Sequence, residues 1–269
     1  MTTPHPLEQA ARTALAATAH RTTAFTHDGR RYVAKRLAAQ PRRLLQTLFM
    51  RWLVKRVTGQ PLPLRTLALS AAATSMDFEA NRLQRLAAEG IRVPRLVFLG
   101  DGFFVLEHCG DVVATLLERW QADEWRPQLL ALARELGAFH RAGQWHGGAQ
   151  IKNLTLQDGV STRIDFEENF GEFLPLPVTQ ATDLALFLNS ISLAGPIDEA
   201  ESRRLLPQLL GAYRTANPDP AIGAVIDRSL PLLATLTRVA RPFRRFSRKG
   251  IRRVEILVAV LAGQRTQPD

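Results

Sequence analysis

The chain has 269 residues, of which 46% are hydrophobic and 22% are charged, and its formal net charge is +10. This composition is that of an ordinary globular protein and excludes a low-complexity or collagen-like chain. The excess of positive charge favours anionic partners. Cys109 is the single cysteine, which excludes an intramolecular disulfide.

No apolar run approaches the roughly 18 residues of a membrane span, and Met1–Arg12 lacks the apolar core of a signal peptide. We therefore expect a cytoplasmic protein.

The first predicted elements are a short helix over 7–20 and a β-hairpin over 24–35. Asp28-Gly29 stands between two β-prone runs, and an Asp-Gly pair in this position is a strong hairpin signal. Alternation along the second strand places Lys35 on the face opposite to that of Tyr32 and Ala34.

A basic segment over 41–59 comes next, in which apolar residues recur at helical spacing among arginines and lysines. This pattern is typical of an amphipathic helix packed on a core. It is also typical of a basic helix that lies on an acidic membrane surface. A further helix is predicted over 78–89, and strands over 95–99 and 103–107.

The second half of the chain is predicted to be mainly helical. A long helix over 128–142 precedes the segment 146–170, and helices follow from Ala181 to the end. The change of pattern near residue 110 predicts an α+β protein with two lobes. The first, 1–109, is a small and mainly antiparallel β lobe that includes the segment 41–59, and the second, 110–269, is helical.

The segment 146–170 has the spacing of a kinase catalytic loop that leads into a metal-binding strand. Asn153 follows His146, and Asp165 follows a predicted hairpin turn at Asp158-Gly159. Asn153 and Asp165 are candidate ligands of Mg²⁺ or Mn²⁺, because an aspartate in an apolar strand is costly without a partner or a metal. The alternatives are a turn carboxylate for Asp165 and a structural role for His146.

Lys35 and Glu79 form a second candidate pair. A lysine on a strand followed by a glutamate on the next clear helix is the order in which kinases place a phosphate-binding lysine and its partner. Singly, each residue has another explanation: a strand-end lysine is often solvated, and a glutamate in the first turn of a helix stabilises the helix dipole.

Together these residues resemble the protein-kinase-like superfamily, in particular an atypical bacterial branch that includes lipopolysaccharide core kinases, Bud32-type kinases and toluene-tolerance proteins. The resemblance covers roughly residues 22–215. Leu106–Gly110 is similar to the hinge that contacts adenine through backbone groups, and Leu136–Gly143 is similar to the helix before the catalytic loop. Asp183 matches the aspartate that braces this loop.

The resemblance implies a two-lobed kinase-like fold and an ATP-dependent phosphotransferase that uses Mg²⁺ or Mn²⁺. It implies that Lys35 and Glu79 hold the phosphates and that Asn153 and Asp165 hold the metal. The main chain of Glu107 and Cys109 would contact the adenine.

The chain departs from the family at three places. Gly148 stands where a kinase has the catalytic aspartate, and a positioned carboxylate commonly contributes about 10²–10⁴-fold to the rate. Asp165, Glu167 and Glu168 are the candidates for its replacement. Glu167 also stands where the metal strand of the family has glycine. Finally, no glycine-rich loop precedes Lys35, because the segment 18–26 contains no glycine.

Two interpretations follow. The first is a phosphotransferase that acts on a hydroxyl of an envelope glycolipid or of a protein serine or threonine. The second is a catalytically impaired pseudokinase that binds nucleotide or serves as a membrane-recruited scaffold.

The segment 238–253 holds eight basic residues in sixteen positions. It is either a solvated face or, together with 41–59, a surface for an anionic membrane or glycolipid, which would make the protein peripheral to the inner membrane. The sequence disfavours nucleic acid as a partner, because no sequence-specific nucleic-acid motif is found.

Overall fold

The computed structural model describes residues 6–36, 48, 51–52, 54–56, 72–240 and 244–264. The protein is a mixed α+β structure with a small antiparallel sheet and several helices. It divides into two compact units. Unit 1 contains the described residues within 1–48, 63–111 and 155–169, and unit 2 contains those within 49–62, 112–154 and 170–269. The segment 155–169 thus belongs with the first hundred residues rather than with the helices that flank it in sequence.

Unit 1 is built on a four-stranded antiparallel sheet of order β1-β2-β4-β3. Its helices and strands are α1 (Pro6–Ala16), β1 (Thr22–His27), β2 (Arg30–Arg36), α2 (Ala72–Ala88), β3 (Leu96–Gly100) and β4 (Phe103–Glu107). The predicted hairpin is confirmed, with Thr22 paired to Lys35 and His27 paired to Arg30. Asp28 and Gly29 have φ of 48° and 73°, as a two-residue hairpin turn requires.

The two faces of this sheet pack against different helices. Tyr32 and Ala34 of β2 pack against α1 in a core that also contains Leu7, Ala11, Leu15, Phe103 and Val105. Lys35 points instead to α2, where its ammonium contacts Glu79. The predicted alternation along β2 is therefore confirmed, and it directs one buried cation away from the apolar core.

The remaining elements are β5 (Asp111–Val112), α3 (Val113–Leu117), α4 (Ala122–Arg141), β6 (Leu154–Gln157), β7 (Val160–Arg163), α5 (Leu176–Ile191), α6 (Glu199–Ala216), α7 (Pro220–Ala240) and α8 (Arg244–Gly263). Short 3₁₀ turns occur at Ile151–Asn153 and Phe170–Glu172. A three-stranded sheet has the order β5-β6-β7.

In unit 2, α4 packs along α6. The two helices approach closely at Gly137, where a Cβ would lie 2.7 Å from the carbonyl oxygen of Tyr213. α4 begins six residues before the predicted start. Gln121 and Glu124 form a capping box at its N-terminus, which satisfies backbone N–H groups there. Pro127 lies inside this helix, where its missing N–H removes one bond without ending the helix.

The two basic segments are only partly described. Within 41–59, the described residues 48, 51–52 and 54–56 are helical, with Leu48 and Trp52 exposed, and the rest of that prediction lies outside the described residues. Within 238–253, Arg252 pairs with Glu199 and Glu255, and Arg253 donates to the carbonyl of Leu193. Part of that segment therefore stabilises unit 2. Among the described helices, none is both long and apolar enough to cross a membrane.

Candidate functional site

Five charged side chains meet in unit 1, and we call them the Lys35 cluster: Arg21, Lys35, Glu79, Asp165 and Glu167. The Lys35 Nζ lies 2.8 Å from Glu79 Oε2 and 3.0 Å from Glu79 Oε1, and it also contacts Asp165 Oδ1. Glu167 Oε2 is 3.7 Å from the same nitrogen. Four of the sequence candidates, Lys35, Glu79, Asp165 and Glu167, are thus brought together.

Burial differs strongly across this cluster. The Lys35 and Glu79 side chains are 7% and 2% exposed, whereas those of Asp165 and Glu167 are 31% and 25% exposed. One side of the cluster is therefore closed by the sheet and α2, and the carboxylates on the other side are accessible to solvent or to a ligand.

The backbone at Asp165 turns its carboxylate toward Lys35. Asp165 has φ of 69°, in the left-handed region that aspartate and asparagine tolerate better than other side chains. The next residue, Phe166, is fully buried, and the guanidinium of Arg82 lies 5.5 Å from its ring centre. Phe166 thus anchors the segment while Asp165 joins the charged cluster.

The charges of the cluster explain its pKa shifts. Burial alone would lower the pKa of Lys35, but the carboxylates of Glu79, Asp165 and Glu167 outweigh it and raise that pKa. Burial raises the pKa of Glu79, Lys35 opposes this shift, and Asp165 and Glu167 add to it. An excess of nearby negative charge raises the pKa of an amine and also that of a carboxyl. The cluster is therefore a site of negative potential around one buried ammonium.

The acidic members of the cluster fit a divalent cation. Glu79, Asp165 and Glu167 each offer an oxygen within 4.8 Å of the others, and carboxylate oxygens are the ligands that Mg²⁺ and Mn²⁺ prefer. The other predicted ligand, Asn153, belongs to unit 2. Its Nδ2 donates to the Gly148 carbonyl at 2.8 Å, so its amide oxygen is the atom that could bind a cation.

In unit 2, Asp183 organises the loop that contains Gly148. Its carboxylate is fully buried and accepts hydrogen bonds from the backbone N–H groups of His146, Gly147 and Ala149. Burial would raise the pKa of Asp183, but its contacts with His140 and His146 outweigh this effect and lower the pKa. Asp183 is therefore held as an anion that fixes the backbone of the loop.

Gly148 is not required by the shape of this loop. A Cβ at this position would have Asn153 Nδ2 at 3.4 Å and His146 Nδ1 at 3.8 Å as its nearest neighbours, which is ordinary van der Waals contact. The Gly148 N–H donates to His146 Nδ1, so His146 has the structural role considered from the sequence. The absence of a side chain at Gly148 is therefore not a steric necessity.

The predicted hinge is a compact turn of unit 1. The Cys109 thiol donates to the Glu107 carbonyl at 3.4 Å, and the Gly110 N–H donates to His108 Nδ1. Burial raises the pKa of Cys109, which keeps its thiol neutral. Gly110 has φ of 102°, and a Cβ there would lie 2.2 Å from the Leu156 carbonyl oxygen. Glycine is needed here for both conformation and space.

Sequence reasoning missed Arg21. Its Nη2 lies 2.6 Å from Glu167 Oε2, and its Nε donates to the Arg36 carbonyl. The only available signal was a cation just before the first strand of the hairpin, which is common on surfaces. Glu168 is partly exposed.

No protein-family model matches the chain, and a search of curated proteins finds no match.

Proposed function

We propose that this protein is an atypical kinase-like phosphotransferase that binds ATP with Mg²⁺ or Mn²⁺. The acceptor would be a hydroxyl of an envelope glycolipid or of a protein serine or threonine. The observation that carries the proposal is the buried Lys35 held between Glu79 and Asp165. Removing these charged groups from water costs free energy, even when they pair with one another. Clusters of charged groups with strongly perturbed pKa values occur preferentially at functional sites.

Each residue has a role in this proposal. Lys35 binds the phosphates, and Glu79 holds the ammonium in position. Asp165, with Asn153, would hold the divalent ion, which would neutralise phosphate charge during transfer. The main chain of Glu107 and Cys109 would contact the adenine. The two-lobed kinase-like architecture is part of the same proposal, and the observed division into two compact units is compatible with it.

Among the three candidate replacements for the catalytic aspartate, Glu167 is already engaged by two cations, Arg21 at 2.6 Å and Lys35 at 3.7 Å. Asp165 also contacts Lys35. Contact with a cation therefore does not separate these carboxylates, and Asp165, Glu167 and Glu168 all stay candidate bases.

Gly148 favours a second candidate function. Both the N–H and the carbonyl of Gly148 are hydrogen-bonded within the loop, but the loop has no carboxylate at this position. The protein could therefore bind nucleotide without transferring phosphate. It would then act as a pseudokinase or as a membrane-recruited scaffold.

Replacing Gly148 separates the two candidates. If the protein is a slow phosphotransferase, Gly148→Asp should raise Mg-ATP turnover by about 10-fold or more, because a positioned carboxylate contributes about 10²–10⁴-fold. Gly148→Asn is the matched control, since it has the same size and no charge. Turnover should be measured as release of inorganic phosphate, and binding of Mg-ATP by calorimetry.

Binding of Mg-ATP with no turnover in any of these variants would support the pseudokinase. Absence of Mg-ATP binding at millimolar concentration in the unmodified protein would refute both nucleotide-based functions.

A further inference from the structure

Glu167 places one carboxylate oxygen between two cations. Its Oε2 lies 2.6 Å from Arg21 Nη2 and 3.7 Å from Lys35 Nζ. Arg21 and Lys35 thus converge on a single anionic oxygen, because both lie at the open end of the β1–β2 hairpin, where Lys35 pairs with Thr22. A position that two cations share in this way favours an anionic oxygen, whether of a carboxylate or of a phosphate.

Arg21 is held in place independently of Glu167. Its carbonyl accepts the Arg36 N–H at 2.8 Å, and its Nε donates to the Arg36 carbonyl at 3.2 Å. These two bonds to Arg36 of β2 direct the guanidinium of Arg21 toward the cluster. A guanidinium fixed in this way loses little entropy when it binds an anion.

The contact between Arg21 and Glu167 is accessible. The two side chains are 24% and 25% exposed, whereas Lys35 is 7% exposed. Exchange of Glu167 for an external anion therefore requires a change of side-chain conformation at the surface and leaves the buried Lys35–Glu79 pair intact.

We propose that Arg21 and Lys35 form a two-cation site for the phosphate chain of the nucleotide, and that Glu167 occupies this site as an internal anion until nucleotide binds. This inference rests on the proposed function. A phosphate group offers more charge and more acceptor oxygens than a carboxylate, and it matches the donor geometry of arginine.

The sequence supplies a reason for such a site. The segment 18–26 contains no glycine, so it lacks the flexible loop whose backbone amides cradle phosphates in many nucleotide-binding proteins. Arg21 lies in this same segment, directly before β1. A side-chain cation thus takes the place of backbone donors.

The charge balance defines the part that Glu167 plays. The Lys35 cluster has three carboxylates and two cations, so a nucleotide phosphate meets net negative charge there. Release of Glu167 from Arg21 and entry of a divalent cation with the nucleotide both reduce this repulsion. Affinity should consequently rise when the charge of Glu167 is removed and fall when that of Arg21 is removed.

The test is calorimetric binding of two probes, Mg-ATP and Mg-tripolyphosphate, to the full chain and its variants. Arg21→Gln should weaken both by about 10- to 100-fold, because it removes charge-assisted hydrogen bonds to phosphate. Glu167→Gln should tighten both by roughly 3- to 10-fold, because it removes a competitor and raises the binding-competent fraction. In the double variant Arg21→Gln/Glu167→Gln, the gain in affinity that Glu167→Gln gives on its own should largely disappear.

Arg12→Gln and Glu8→Gln are the matched controls. These residues form an exposed ion pair on α1 of the same unit, so their replacement changes the net charge equally. Thermal melts of each variant without ligand check that the fold is retained.

The outcomes separate this inference from the proposed function. If Mg-ATP binds the unmodified chain but Arg21→Gln leaves the affinity unchanged, the two-cation site is refuted and the proposed function stands. Weaker binding by Glu167→Gln would also refute it, because Glu167 would then be a ligand of the metal and not a competitor. If Mg-ATP binds none of the proteins, the proposed function fails, and this inference fails with it.

Discussion

At the scale of single residues, Lys35 shows how a buried charge depends on its neighbours. Its ammonium lies beside a nearly inaccessible Glu79, and the Glu79 carboxylate has Lys35 as its close cation. Removing one partner of a buried pair leaves an uncompensated charge, which typically costs more than removing both.

Lys35→Met should therefore destabilise the protein by about 3 kcal/mol, because it leaves the Glu79 carboxylate buried without its cation. The double variant Lys35→Met/Glu79→Leu should recover part of this loss. Urea denaturation of both variants measures the difference. Equal stability of the single and double variants would show that the pair is not coupled as its geometry indicates.

Asp183 gives a prediction about acid stability. Because its pKa is lowered in the folded protein, the folded state binds this proton less tightly than the unfolded chain does. The resulting stabilisation is complete above the ordinary aspartate pKa of about 4 and is lost as the pH falls through the folded value.

Asp183→Asn should consequently reduce the free energy of unfolding at pH 7 and lessen its fall on acidification below about pH 4. Urea unfolding at several pH values between 3 and 7 tests this. The prediction is wrong if the variant and the unmodified protein lose stability in parallel on acidification.

At the scale of elements, the turns were the most predictable features and the helix ends were the least. Asp28-Gly29 and Asp158-Gly159 are both hairpin turns with positive φ, because this dipeptide adopts that conformation at little cost. The start of α4 was predicted too late, because a capping box at residues 121 and 124 outweighs the proline that follows it.

The hinge-like turn offers a test at this scale. Gly110→Ala should destabilise the protein by about 2–4 kcal/mol, since it adds a methyl group against the Leu156 carbonyl in a left-handed conformation. Gly102→Ala is the matched control, because Gly102 also has positive φ but no atom lies within 4 Å of its missing Cβ. It should cost only about 1 kcal/mol. Thermal melts that show equal losses would contradict a steric role for Gly110.

At the scale of the whole molecule, the net charge is +10, and the basic residues are of two kinds. Some form ion pairs or hydrogen bonds within the fold, and others are accessible to solvent. Arg252 and Arg253 are used inside unit 2, whereas Arg248 and Lys249 are exposed on α8. Only the accessible residues can contribute to binding of an anionic surface, at about 1 kcal/mol each near the membrane.

If the basic segments bind anionic membranes, flotation with phosphatidylserine-containing vesicles should decrease as salt increases. Arg248→Ser/Lys249→Ser should reduce flotation more than Arg30→Ser/Arg31→Ser, a pair of exposed arginines at the start of β2 that removes the same charge. Equal losses would mean that net charge, and not the segment 238–253, determines binding. No flotation at low salt would refute the membrane interaction.

The sequence alone determined the features that depend on neighbouring residues. It determined the β1–β2 hairpin, the placement of Lys35 on the strand face opposite to Tyr32 and Ala34, and the helical character of the second half, because period and turn chemistry are local properties. It also singled out Lys35, Glu79, Asp165 and Glu167 as functional candidates and paired Lys35 with Glu79, but it did not predict that Asp165 and Glu167 contact the same ammonium.

Only the tertiary structure decided which charges meet. Glu167 and Arg21 are 146 residues apart in sequence number, and their 2.6 Å contact has no local signature because it depends on how the segment 155–169 packs in unit 1. Likewise, the spare room at Gly148 and the clash that a side chain would meet at Gly110 follow from neighbouring loops. Spacing in sequence sets the direction of a side chain, whereas its partner is set by long-range packing.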